Sequence, residues 1–122
     1  MKEKIDEITK KVEDMYKKYP YPSPSTDPSQ TNELLNLLKI FELESRIKLE
    51  GKNILDAGTG SGHRITNVAE FYKKSNFLGI DVSKTSLQIA KQLIKQKKIT
   101  NLKLENINLM NEFSKIGKFD II

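Results

Sequence analysis

Asp56-Ala57-Gly58-Thr59-Gly60-Ser61-Gly62 places an acid and three glycines within seven residues, where an apolar run gives way to an amphipathic one. Glycine admits positive φ and lets a ligand approach the backbone with no Cβ in the way. A helix opening behind such a loop turns unpaired amides and the positive end of its dipole towards a carboxylate or phosphate. Three ligand classes use loops of this kind, and spacing separates them. A nucleotide-phosphate loop needs a lysine and a hydroxyl residue after its last glycine, but His63-Arg64 follow Gly62. A dinucleotide fingerprint needs glycine three residues after Gly60, where the side chain of His63 would crowd a pyrophosphate. What remains is G-x-G-x-G preceded by an acid.

Asp81 is the second chemical element. It ends the run Phe77-Leu78-Gly79-Ile80-Asp81, 21 residues beyond Gly60. A carboxylate at the carboxyl end of a strand can accept hydrogen bonds from both hydroxyls of an adenosine ribose. Alone it reads equally well as an acid capping the next helix; paired with the loop, the ligand reading is more specific. His63 reads as a solvated or helix-packing residue, with a place at the ligand mouth as the alternative. One histidine and no cysteine give no basis for a metal centre, a thiol nucleophile or a disulfide framework.

The elements that must hold these residues follow from hydrophobic periodicity. Asn53-Ile54-Leu55-Asp56-Ala57 reads as a buried strand ending in the glycine turn, and residues 62–73 as a helix with Ile65, Val68, Ala69 and Tyr72 on one side. Residues 77–81 form a second strand. Ser83 caps a helix running to Lys97, with Leu87, Ala90 and Leu93 or Ile94 facing inward and Lys91, Lys95 and Lys98 on a solvated stripe. Residues 102–107 and 119–122 read as third and fourth strands. Strand–helix alternation implies a parallel sheet with right-handed crossovers. Upstream, Ile5, Ile8, Val12, Met15, Tyr16 and Tyr19 recur at helical spacing until Pro20 ends the pattern. Residues 19–28 are proline-rich, either a rigid linker or a tyrosine-bearing lid. A second helix is expected over about 28–47, burying Leu34, Leu35, Leu37, Leu38, Phe41 and Leu43.

Taken together, the loop 56–62 and Gly79-Ile80-Asp81-Val82-Ser83 resemble the glycine motif and the acidic ribose site of class I S-adenosylmethionine-dependent methyltransferases. The resemblance extends to Leu104-Glu105-Asn106-Ile107-Asn108 and Phe119-Asp120-Ile121-Ile122, and more loosely to the tyrosine–proline segment, which looks like the region preceding the domain in a bacterial subgroup. It implies an α/β fold, a Rossmann-like doubly wound parallel sheet of which residues 51–122 carry the first four strands in the order 3-2-1-4, preceded by an N-terminal helical extension over 1–50. It implies S-adenosyl-L-methionine as cofactor, with Ala57, Gly58, Gly60 and Gly62 against its methionine part and Asp56 ordering the loop beneath its amino group. Asp81 would hold the ribose, Val82 the adenine face, and Ile107 and Asn108 the adenine edge. Asn108 stands where the family usually has an aspartate; an amide oxygen can still accept from the adenine amino group. The family fold continues through three further strands, so a fragment of a longer product, or a half-domain completed by a partner chain, is expected. No catalytic residue is named.

Composition bounds the remaining choices. With 37% hydrophobic residues in 122, the chain can bury a single core. No apolar run approaches the ~20 residues of a membrane span, and the charged start has no signal-peptide core; a soluble, cytoplasmic protein without membrane partners is expected. The net charge of +5 is carried almost wholly by lysine, since only Arg46 and Arg64 are arginine. Dispersed lysines among 16 acids read as solvated surface, with a nucleic-acid face as the alternative. The methyl acceptor is thus expected to be a small molecule, with nucleic acid left open. Two other functions compete: a catalytically silent cofactor-binding or regulatory module needing a partner chain, and a nicotinamide-dependent domain, disfavoured by His63.

Overall fold

The computed structural model describes residues 6–12, 14, 32–112, 114 and 116–122. Helix α1 spans Glu33–Ser45, followed by β1 (Asn53–Ala57), α2 (His63–Phe71), β2 (Asn76–Asp81), α3 (Lys84–Lys97), β3 (Leu102–Asn106) and the single turn α4 (Leu109–Glu112). Residues 6–12 are also helical. The proline-rich segment 19–28 lies outside the described residues. Among the described residues no helix is long and apolar enough to cross a membrane.

The three strands are parallel and lie in the spatial order β1-β2-β3. Ile54 pairs with Phe77 and Asp56 with Gly79, so Asp81 projects one step beyond the end of β1. Strand alternation divides the core. Ile54, Phe77 and Leu102 face a cluster with Leu35 of α1 and Ile65, Val68 and Ala69 of α2. Leu55 and Ile80 face the other way, onto Ile107 and Ile116. Burial of each such side chain is worth about 1.5–3 kcal/mol. The helix after β2 starts as expected: Ser83 accepts the Ser86 amide at 3.2 Å, and Leu87 and Ala90 are buried.

Three expectations are corrected. Residues 119–122 do not form a full fourth strand. They make one parallel bridge, Ile54 to Ile121, on the outer side of β1. The Asp120 carboxylate takes the Asn53 amide at 2.7 Å, a donor that a continued ladder would have paired with a backbone carbonyl. β3 closes at Asn106, one residue early, because the Asn106 side-chain amide turns back to donate to the Asp81 and Val82 carbonyls. The third correction concerns α1, which starts at Glu33 and buries only Leu35. Leu37 is 58% and Leu43 80% exposed, and the ring of Phe41 is partly open. The apolar positions of this helix run round more of its surface than the one stripe that α2 meets.

Glu42 fastens α1 to the body. Its carboxylate accepts the buried Leu49 amide at 2.9 Å and the Tyr72 hydroxyl. Burial, followed by this bond, pushes the Tyr72 hydroxyl above its ordinary pKa. Glu42→Ala strands both donors and is expected to cost about 2–3 kcal/mol, whereas Glu42→Gln, which keeps an acceptor, costs about 1 kcal/mol. Urea midpoints at constant m-value measure the difference.

Candidate functional site

The site lies at the carboxyl ends of β1 and β2. Residue 56 follows Ile54 on the α2-facing side of β1, and residue 81 follows Phe77 and Gly79 on the same side of β2. Between them the glycine loop is stitched to the sheet. The Gly58 and Thr59 amides both donate to the Ile80 carbonyl at 2.9 Å, and the Thr59 hydroxyl donates to Asp56 Oδ2 at 2.7 Å. The Gly60 amide donates to Asp81 Oδ2 and the Ser83 amide to Asp81 Oδ1, both at 2.8 Å. Asp81 therefore anchors the loop on one side and the start of α3 on the other. Each of its oxygens keeps a lone pair for a further donor.

The three glycines of the loop all have positive φ, yet they serve different ends. A Cβ on Gly58 would meet nothing within 4 Å, and this residue borders the cavity. A Cβ on Gly62 would stand 2.7 Å from the Ala90 Cβ. Gly62 thus lets α2 and α3 approach each other, and it also carries the N-terminus of α2.

The cavity above the strand ends encloses about 790 Å³, within the range of small-ligand sites. The structure brings Asp56, Gly58, Asp81, Val82, Ile107 and Asn108 together around it. Ala57, Gly60 and Gly62 lie outside its lining, acting on it through the loop's shape. Asn108 is turned to local work: its amide oxygen accepts the Met110 amide at 3.0 Å, opening α4, and its NH₂ donates to Thr9 Oγ1 at 3.2 Å. His63 is not in the lining. Its Nδ1 lies 3.0 Å from Ser61 Oγ, and burial together with nearby Lys97 holds the imidazole below its usual pKa. This agrees with the helix-packing reading.

Several contributors escaped the sequence reading. Thr59 orients Asp56; the short distance from an acid to a hydroxyl three residues on is a recognisable turn signal. Arg64 lines the cavity from the first turn of α2, with its guanidinium 3.7 Å from Glu33. Ile8, Thr9 and Val12 of the first helical segment line the mouth. Asn106 and Lys97, which donates to Asn67 Oδ1 and to Thr66 Oγ1, carried no sequence signal.

Burial raises the Asp56 carboxyl above its ordinary pKa, with the Asp81 charge adding to the rise, against the Thr59 hydrogen bond and the Arg64 charge. Two neighbouring acids, one of them driven up, favour a cation in the space between them.

The fold and this glycine-loop and acid pairing are those of a nucleoside-binding α/β domain. Residues 48–122 match the family model described as a methyltransferase domain, and the chain belongs to that family. It is 37% identical over 107 residues to an uncharacterized protein of Rickettsia prowazekii (strain Madrid E), covering 88% of this chain and 42% of that one. It is 39% identical to the structure of PKMT2 from Rickettsia typhi in complex with AdoHcy, with a TM-score of 0.55 over 62% of this chain and 15% of that one. Coclaurine N-methyltransferase bound to N-methylheliamine and SAH shares the fold at 17% identity, with a TM-score of 0.62 over 84% of this chain and 29% of that one. The chain thus spans less than half the length of each of these proteins.

Proposed function

We propose that this chain holds S-adenosyl-L-methionine for methyl transfer to a small-molecule acceptor, with residues 51–122 as the methyltransferase part and residues 1–50 as an extension over its cavity. The observation that carries the reading is the double anchoring of Asp81, which fixes the glycine loop and the ribose-binding carboxylate as one unit. The similar Rickettsia typhi protein, in complex with AdoHcy, supports the same ligand class. The cofactor, when bound, supplies an electrophilic methyl group on a sulfonium.

The residues present fit it. Gly58 leaves open space beside the backbone, Asp56 and Asp81 favour a cationic ligand, and Val82 and Ile107 offer apolar surface to an adenine. Asp81 accepts the ribose hydroxyls with its remaining lone pairs, and Asp56 holds the amino group. Positioning is the chain's contribution, since in-line displacement needs alignment above all. Apolar Ile8, Leu34, Leu37 and Met110 at the mouth suit a small organic acceptor. Among the described residues Arg64 is the sole basic side chain in the lining, and it is paired with Glu33; a phosphodiester would meet no row of cations.

Equilibrium dialysis with labelled S-adenosylmethionine tests the reading. S-adenosylhomocysteine displaces the label and NADH at the same excess does not. Displacement by NADH alone, or no retention of label by a folded chain, overturns it.

A pH dependence follows. The cationic amino group binds the ionised form of Asp56, so affinity for S-adenosylhomocysteine falls as pH falls through the raised Asp56 pKa. Asp56→Asn flattens that profile and weakens binding at pH 7 by about tenfold. The linkage to folding runs the other way. A folded-state pKa above the unfolded one favours folding at low pH, and that contribution is lost as pH rises through the folded value. Asp56→Asn therefore raises the melting temperature of the ligand-free chain at pH 7 while weakening the ligand. Melts with and without S-adenosylhomocysteine read both effects.

A further inference from the structure

Arg64 has a resting partner that is poorly matched to it. The ion pair with Glu33 is 3.7 Å long, and the two side chains are 38% and 62% exposed, so it contributes little on its own. On its other side Arg64 is close enough for its charge to be felt at Asp56. Both residues line the same cavity, Asp56 from β1 and Arg64 from the first turn of α2. A carboxylate and a guanidinium so placed are the complement of a zwitterionic α-amino acid, its ammonium towards Asp56 and its carboxylate towards Arg64. A planar guanidinium takes a carboxylate through two parallel hydrogen bonds, a better match than the distant Glu33. The amino end of α2 adds favourable potential for the same anion.

We propose that Arg64 is the specificity-determining residue for the amino-acid end of the ligand, receiving its carboxylate in exchange for Glu33. Glu33 is then a competitor that keeps Arg64 paired until the ligand enters. This rests on the cofactor reading above and deepens it.

Calorimetry on the full 122-residue chain with two ligands separates the claims. S-adenosylhomocysteine carries the amino-acid end; 5′-methylthioadenosine keeps the adenosine and the thioether but lacks it. Arg64→Gln is expected to weaken S-adenosylhomocysteine by about tenfold or more and to leave methylthioadenosine unchanged within about twofold. Glu33→Gln is expected to tighten S-adenosylhomocysteine by about threefold, the worth of a surface ion pair, again with no effect on methylthioadenosine. A merely structural role for the pair would move both variants in the same direction. Equal losses for both ligands in Arg64→Gln, an unchanged S-adenosylhomocysteine affinity in that variant, or weaker binding in Glu33→Gln overturns the assignment while leaving the cofactor reading intact. A wild-type chain that binds neither ligand overturns both. The two side chains are well exposed, and matching thermal melts establish that the variants are folded.

Discussion

Asp81→Ala is expected to weaken S-adenosylhomocysteine by at least about 100-fold, or about 2.7 kcal/mol, in a calorimetric titration. Two losses add. The ribose hydroxyls lose a charged acceptor, worth about 1.5–3 kcal/mol. The Gly60 and Ser83 amides lose the carboxylate that holds the glycine loop against the start of α3, so the loop must be ordered at the ligand's expense. Asp81→Asn separates the two terms. One amide oxygen still accepts, but the NH₂ that replaces the other oxygen faces a backbone donor, so the loss falls between those of wild type and alanine. An alanine variant that binds within about threefold of wild type would show that the carboxylate does not touch the ligand.

The largest stability effect is expected at Gly62. Alanine there carries positive φ at +82°, and its Cβ would sit 2.7 Å from the Ala90 Cβ and 3.2 Å from the Ala90 Cα. Left-handed backbone on a non-glycine residue costs about 1–3 kcal/mol, and overpacking a tight contact costs about 1–3 kcal/mol more. Since part of the neighbour is backbone, the contact cannot be relieved by a rotamer change. Gly62→Ala should therefore lose about 2–5 kcal/mol in urea unfolding. Adding Ala90→Gly removes the clash but not the strained φ, so it restores only part of the loss. Gly58→Ala has similar φ, +81°, with open space around the new Cβ. It should cost only the backbone term, yet place a methyl group where the ligand approaches. Equal stability losses at the two glycines would contradict the division of labour between packing and access.

How much of this was visible in the residues depends on whether the signal is local. The strand–loop–helix around Asp56 and the cap at Ser83 rest on contacts within a few residues, and periodicity reveals them. The pairing of Asp56 with Asp81 across two parallel strands also followed, because each acid closes an apolar run and parallel register brings such ends together. The face of α1 did not follow. Leu37 and Leu43 obey helical spacing as well as Leu35 does, and only the place where α2 lands decides which is buried. Asn108 shows a different limit. Its amide was assigned to a ligand edge, while the backbone of Met110 and the side chain of Thr9, 99 residues away, engage both of its ends. Residues 119–122 carry a strand's composition, yet the Asp120 side chain takes the donor that would have extended the ladder. Arg64 was in plain view after Gly62, but its meaning lies in facing Asp56 and Glu33 from a third element, and no spacing rule encodes that.

The central claim is that the strand-end cavity binds the nucleoside cofactor, and amide chemical-shift mapping with S-adenosylhomocysteine tests it most directly. The account predicts saturable, concerted shifts for Gly58, Thr59, Gly60, Asp81, Val82 and Ile107, with Asn53 and Asn76 at the opposite ends of the strands unmoved. A well-dispersed spectrum that stays unchanged at ligand excess, or shifts confined to those opposite ends, would contradict it.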